Sequence, residues 1–345
     1  MTPGFALVGA GLIGRRHAEA IAASGAAHLH SVTDPAPEAR AWAESRGAPW
    51  HPGLDALLSG PRPAAVILAT PTQAHAEGAL ACLAAGLPVL VEKPIAADLA
   101  AARRMVAAAE AAGLPLAVGH HRRHNPRIAA AKAMIAAGTL GQITAVQASF
   151  WVQKPNDYFA TPWRRAVGAG PILTNLIHDI DLLRHLIGEI AEVRALTANP
   201  LRGHPVEETA AVLLRFANGA LGTVSLSDTT PAPWSWELTA RENPAYPATD
   251  AACYHIGGTR ASLELPSLTL WRHEGERGWW SPLAACRTPV GLDDPLVLQI
   301  RQFARVIAGT EAPLVSGREG LATLAVIDAI HRSAAKTGAA VRPAA

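Results

Sequence analysis

From residue 5 to residue 120, short runs of consecutive apolar residues alternate with longer amphipathic stretches. Phe5-Ala6-Leu7-Val8, Leu29-His30-Ser31-Val32, Ala65-Val66-Ile67-Leu68, Val89-Leu90-Val91 and Leu116-Ala117-Val118 have the length and branching of buried strands. The Ala-rich segments 16–24, 73–85 and 98–112 have helical length, with Asp98 placed to cap one and Gly86 and Gly113 placed to stop two. Strands lacking polar alternation and separated by helices read as a parallel sheet covered on both faces. The first domain is therefore predicted to be a doubly wound α/β unit.

After Pro126 the pattern changes. A helix is predicted over 125–137, ended by Gly138, and strands over 144–152, 209–216, 221–226, 236–239 and 262–265. Asn218-Gly219 between two of them is a hairpin signal, so this part reads as α+β with a mostly antiparallel open sheet. Further helices are predicted over 173–186, 295–307 and 318–336. The expected division is 1–122 and 123–345.

At 345 residues, 50% hydrophobic and 17% charged, the chain can bury two cores. Thirty basic against 28 acidic residues, with the arginines scattered, provide no footprint for nucleic acid. The N-terminal segment lacks the charge order of a secretory signal, and no apolar run reaches the length of a membrane span. These features predict a cytoplasmic protein without a membrane partner. Three widely spaced cysteines, Cys82, Cys253 and Cys286, predict reduced thiols rather than a disulfide framework. Neither His120, His121 and His124 nor His178 with Asp179 and Asp181 has a recognised metal spacing, so no metal is expected.

Three motifs carry candidate chemistry. Gly9-Ala10-Gly11-Leu12-Ile13-Gly14 follows the first predicted strand and opens a helix. There Gly9 makes the tight turn, Gly11 lets the backbone approach a pyrophosphate and Gly14 lets the helix pack on the strand. Asp34 lies twenty residues beyond Gly14, where a carboxylate can hold an adenosine ribose. That charge repels a 2′-phosphate and Pro35, Ala36 and Pro37 offer no cation, which favours NAD over NADP. The alternative use of these residues is as turn glycines and a strand-end cap. Val91-Glu92-Lys93-Pro94 ends a strand on the carboxyl side of the sheet, where ligands bind; Lys93 is there either a solvated loop cation or a cation aimed inward by the fixed backbone of Pro94. In Gly168–Asp181, Thr174 and Asn175 stand four and three residues before His178 and share its face at helical spacing. His178 is either a satisfied core histidine or part of a ligand site.

Together these motifs resemble the glucose-fructose oxidoreductase, inositol dehydrogenase and rhizopine-catabolism (Gfo/Idh/MocA) family. Ala69-Thr70-Pro71-Thr72-Gln73-Ala74-His75-Ala76-Glu77 and Gly119-His120-His121-Arg122-Arg123-His124-Asn125-Pro126 extend the match over nearly the whole chain. The resemblance implies a Rossmann domain, a C-terminal open sheet that mediates a homodimer or homotetramer, and nicotinamide-dependent oxidation of hydroxyls on sugars, polyols and related compounds. It places Gly9, Gly11, Leu12, Ile13, Gly14, Asp34, Thr70, Pro71, Thr72, His75, Glu92 and Lys93 at the cofactor, with Lys93 and His178 as the catalytic pair. It also makes Arg123, Lys154, Tyr158, Trp163, Arg164, Thr174 and Asn175 candidates for the substrate. The family commonly has aspartate where this chain has Thr174. Trp234, Trp236, Trp271, Trp279 and Trp280 suit a sheet interface between subunits.

A neutral imidazole is matched to take a hydroxyl proton near pH 7, and the Lys93 ammonium to stabilise the developing alkoxide. Two other classes stay open: an NAD-dependent glycoside-cleaving enzyme that oxidises its sugar transiently, and a non-catalytic nucleotide sensor.

Overall fold

All five predicted N-terminal runs form strands, joined by helices in the expected alternation: β1 (Gly4–Val8), α1 (Leu12–Ser24), β2 (His28–Thr33), α2 (Pro37–Ser45), β3 (Trp50–His51), α3 (Leu54–Leu58), β4 (Ala65–Leu68), α4 (His75–Ala84), β5 (Val89–Val91), α5 (Leu99–Ala112) and β6 (Leu116–Val118). A computed structural model describes these and the rest of residues 2–166 and 168–345. The sheet runs β3-β2-β1-β4-β5-β6, every pair parallel, so the order reverses between β1 and β4 and opens a crevice at their carboxyl ends. β1, β4, β5 and β6 are buried along their whole length, which is why they read as unbroken apolar runs. β3 is only two residues long, and α2 buries only Ala39 and Ala43. Neither produces an apolar period, so both escape a reading by pattern.

The second half contributes α6 (Pro126–Ala136), β7 (Ile143–Trp151), α7 (Ile177–Ile187), β8 (Ile190–Ala198), β9 (Thr209–Phe216), β10 (Leu221–Ser227), α8 (Trp236–Thr239), β11 (Tyr254–Gly258), β12 (Ser262–Leu265), β13 (Thr269–Arg272) and β14 (Ala284–Arg287). Eight strands form one sheet in the order β14-β13-β12-β11-β7-β10-β9-β8. Only β7 and β10 run parallel; the other pairs are antiparallel, and Asn218-Gly219 closes the β9–β10 hairpin with Gly219 at φ +91°. One face carries Val146, Phe150, Val193, Val212, Leu214 and Val224 into a core with Leu176, Ile180 and Leu183. The other face exposes Leu196, Leu213 and Leu221.

Two expectations are corrected here. Residues 236–239 are helical, not a strand, because the Ser235 hydroxyl accepts from the Leu238 amide and caps a turn. Trp236, grouped with the interface tryptophans, is buried and stacked on Tyr254 with ring centroids 5.7 Å apart. Trp279 and Trp280 are 91% and 90% exposed.

The chain closes with α9 (Pro295–Ile307) and α10 (Gly317–Ala334). One compact unit comprises the chain up to His124 together with Asp293–Leu324; the other comprises Asn125–Leu292 and Ala325–Ala344. A single cut at 122/123 therefore misplaces α9 and the start of α10. Ile300 and Phe303 of α9 pack with Phe5, Leu7 and Ile21, the Phe5 and Phe303 rings lying 5.3 Å apart. The Val118 amide also donates to Val315 O at 2.9 Å. Local periodicity finds the helix but not the surface that buries it. Cys82, Cys253 and Cys286 are free thiols. Among the described residues, no helix is long and apolar enough to cross a membrane.

Candidate active site

The glycine turn between β1 and α1 is held by its own backbone. Gly9 has φ +97°, its amide donates to Thr33 O at 2.8 Å, and a Cβ there would lie 2.5 Å from Ala69 O. A Cβ on Gly14 would lie 1.9 Å from Gly9 O, so only glycine lets α1 pack on the turn. Gly11 differs. It is the extended N-cap of α1, no side chain caps the helix, and a Cβ there would meet nothing within 4 Å. Glycine at this position leaves an open cradle against amides at a helix N-terminus, a place that suits a pyrophosphate. Leu12 is 88% exposed at its rim, while Ile13 packs against the core.

Asp34 performs the strand-end role and more. Its Oδ2 accepts from the Ala10 amide at 2.7 Å and its Oδ1 from the Ala36 amide at 2.9 Å, so the carboxylate braces the glycine turn against the end of β2. A carboxylate has about four acceptor positions, which leaves capacity for ribose hydroxyls.

The loops after β4 and β5 are tied together. Pro71 opens a 3-10 turn at Thr72–Ala74, and the Thr70 hydroxyl is buried without a hydrogen-bond partner among the described residues, as a group awaiting a ligand would be. His75 is buried, with Nδ1 2.9 Å from Pro94 O and Nε2 2.9 Å from Thr70 O. Its ring joins two main-chain segments rather than facing the crevice, which places it behind the residues it was expected to accompany. Glu92 is also buried. Its Oε1 lies 2.7 Å from His17 Nε2, and its Oε2 accepts from the Lys93 amide at 3.1 Å. Burial alone would raise this carboxyl, but the hydrogen bond and charge of His17, with His121 and Lys93, hold it down at about 2. A cis bond joins Lys93 to Pro94. Gly119 completes the packing, because a Cβ there would lie 2.7 Å from Glu92 Oε1.

His121 opens the 3-10 turn His121–His124; burial pushes its pKa down to about 4, aided by Arg122 and opposed by Glu92. Arg123, a substrate candidate from sequence, is buried, and its Nη2 donates to Glu319 Oε2 at 2.9 Å. His17, missed in the sequence, lies one helical turn beyond Gly14, and that spacing was the available signal.

In the second unit, a π-helical turn at Ile172–Leu176 runs into α7 and carries Thr174 and Asn175, so the predicted helix is not of uniform pitch. Such turns often occur at functional sites. The Thr174 hydroxyl lies 3.0 Å from both Gly170 O and Asn175 Oδ1. His178 is buried in the first turn of α7, and the next residue, Asp179, is buried and accepts from the Tyr254 hydroxyl. Glu207 accepts from the Ile172 amide at 2.9 Å, and a Cβ on Gly170 would collide with its carboxylate. Glu207, Tyr254 and Asp228 have no signal in their local sequence; each reaches its partner from a distant strand or loop.

Lys154, Tyr158, Trp163 and Arg164 form one cluster. Lys154 Nζ lies 5.0 Å from the Tyr158 ring centroid and the Arg164 guanidinium 4.3 Å from it, with Trp163 5.6 Å from Arg164. Buried Asp228 pairs with Lys154 at 3.4 Å and with Arg202 at 2.5 Å. Burial lowers the Lys154 pKa, and Asp228 opposes the shift.

Known proteins match this arrangement. Residues 4–120 fit the oxidoreductase family with an NAD-binding Rossmann fold, and residues 128–264 fit the GFO/IDH/MocA C-terminal domain. The chain is 32% identical over 235 residues to 4-carboxy-2-hydroxymuconate-6-semialdehyde dehydrogenase of a Sphingobium species, covering 66% of this chain and 73% of that protein. It is 29% identical over 350 residues to myo-inositol dehydrogenase Hyg17 of Streptomyces leeuwenhoekii, covering 98% and 99%. The crystal structure of the WlbA dehydrogenase from Bordetella pertussis, in complex with NADH and UDP-GlcNAcA, superposes with a TM-score of 0.83 at 27% identity over 100% of both chains. The open cradle at Gly11, the Asp34 carboxylate and the family match agree, and the chain belongs to the Gfo/Idh/MocA oxidoreductases, with an NAD-binding Rossmann domain.

Proposed function

We propose that this protein is a dehydrogenase that transfers hydride between nicotinamide and a secondary hydroxyl or carbonyl of a sugar, polyol or related hydroxy compound, with Lys93 and His178 as its catalytic pair. The observation that carries the reading is the construction around Lys93. Its amide is held by Glu92 and the carbonyl of the next residue faces His75, so its backbone is fixed at the carboxyl end of β5. The names of the relatives support the substrate class, since they include inositol dehydrogenases and D-apiose dehydrogenase.

NAD, when bound, supplies the hydride acceptor. Gly9, Gly11 and Gly14 shape its pyrophosphate cradle, Asp34 receives ribose hydroxyls, and the Thr70 hydroxyl offers a further hydrogen bond. Lys93 Nζ donates to the substrate oxygen and stabilises the charge that develops on it. The His178 imidazole takes the hydroxyl proton, and in reduction returns it. Thr174 and Asn175 orient neighbouring hydroxyls.

Removing one preorganised donor to an oxyanion costs roughly 3–4 kcal/mol. Lys93→Ala is accordingly expected to lower turnover at least about a hundredfold while NAD binding, followed by calorimetry, stays near that of the parent. Near-normal turnover in that variant overturns the assignment. Absorbance of NADH during incubation with polyols separates this reading from a sensor and from glycoside cleavage, neither of which accumulates NADH.

The exposed leucines of the C-terminal sheet support a homo-oligomer formed through that face. Leu213→Asp with Leu221→Asp should shift the sedimentation coefficient to that of a monomer.

A further inference from the structure

The cations of the cluster around Tyr158 are not equivalent. Lys154 and Arg202 share buried Asp228, and the Arg202 guanidinium also covers the Phe159 ring at 4.3 Å. The Glu208 carboxylate is engaged by the Leu201 and Arg202 amides at 2.9 and 2.5 Å. Arg164 makes no ion pair among the described residues. One nitrogen, Nη1, donates to Tyr158 O at 3.0 Å, and the ring of Tyr158 supports the guanidinium plane. Its Nε is buried without a hydrogen-bond partner among the described residues.

A buried cationic N–H with no acceptor is unfavourable unless a ligand provides one. With Nη1 engaged, the remaining edge of the guanidinium contains Nε and Nη2, the parallel pair that a carboxylate accepts bidentately. A neutral hydroxyl matches only one of those donors. Aromatic support from Tyr158 and Trp163 restricts the side chain, so less freedom is lost when an anion arrives.

We infer that Arg164 is a recognition point for a carboxylate on the substrate, so that the substrate class is a hydroxy acid, such as a uronate or aldonate, rather than a neutral polyol. This rests on the reading above that Arg164, with Lys154, Tyr158 and Trp163, stands at the substrate.

The test is calorimetric binding to the NAD-loaded protein of D-glucuronate, D-galacturonate and D-gluconate, each against its uncharged amide at matched ionic strength. At least one acid is expected to bind ten- to a hundredfold more tightly than its amide. Arg164→Gln should abolish that preference while leaving the melting temperature and NAD affinity unchanged, and Arg164→Lys should retain part of it. The exposed neighbour, in Arg165→Gln, should keep it whole. No preference for the acid in any pair, or a preference that survives Arg164→Gln, overturns the inference. Acid-selective binding without NADH formation would retain this assignment and reject the Lys93–His178 dehydrogenase; NADH formation at equal rates from acid and amide would do the reverse.

Discussion

In the N-terminal unit the candidate residues act on main chain. Asp34 holds two amides, His75 faces two carbonyls, Glu92 holds the Lys93 amide, and Gly9 and Gly14 permit approaches that a Cβ would block. In the second unit the candidates interact through side chains: Lys154 and Arg202 on Asp228, Arg164 on Tyr158, Tyr254 on Asp179. The difference accords with the proposed division of labour, in which the first unit holds the dinucleotide and the second the substrate. A dinucleotide is constant, and a fixed backbone with a helix N-terminus suits it. A substrate varies among relatives, and side chains on long connections can change without disturbing a sheet.

The largest test of this contrast uses two glycines of one turn. Gly14→Ala is expected to lose about 3 kcal/mol of stability, because its Cβ meets Gly9 O at 1.9 Å and both backbones must move. Gly11→Ala should melt like the parent, since nothing lies within 4 Å, yet bind NAD at least about tenfold less tightly by calorimetry. Equal melting of the two variants would break the distinction between packing glycine and ligand glycine.

Tyr254→Phe removes a donor from buried Asp179 and should cost about 2 kcal/mol in chemical denaturation. A loss well below that would mean that the second unit relies on such side-chain bonds less than its geometry implies. His75→Phe releases the Pro94 and Thr70 carbonyls. On the proposed role of Lys93 this misplaces the catalytic group, so kcat is expected to fall by one to two orders of magnitude with little change in substrate KM. A rise in KM alone would place His75 at the substrate instead.

The smallest effect concerns pH. Folding lowers His121 to about 4 and Glu92 to about 2, so below the ordinary range of each group the unfolded chain binds protons that the folded chain does not. Stability should therefore fall as pH drops from 7 towards 4, the first part through His121 and the part below about 4.5 through Glu92. His121→Gln should flatten the dependence of melting temperature on pH between 7 and 5; an unchanged slope there would remove His121 from the account.

Much of the fold was legible because buried parallel strands are apolar along their length, and β1, β4, β5 and β6 appear in the sequence almost residue for residue. β8, β11, β13 and β14 did not. They pair in a sheet with an exposed face, where polar positions break the runs, and β13 and β14 are only four residues long. The cofactor motif was legible for the same local reason: Gly9, Gly11 and Gly14 meet within six residues. The ion pair of Arg123 was not legible, because its partner, Glu319, lies far along the chain.

By itself the sequence determined the strand and helix alternation and the glycine turn, which depend on neighbours a few residues away, and it singled out Asp34 and Lys93 by their places at predicted strand ends. Only the tertiary structure decided that α9 packs against β1, that His17 meets Glu92, that Tyr254 meets Asp179 and that Lys154, but not Arg164 among the described residues, pairs with Asp228. Those contacts join residues tens or hundreds of positions apart. They are selected by shape and charge after the chain has folded, and no local period in the sequence records them.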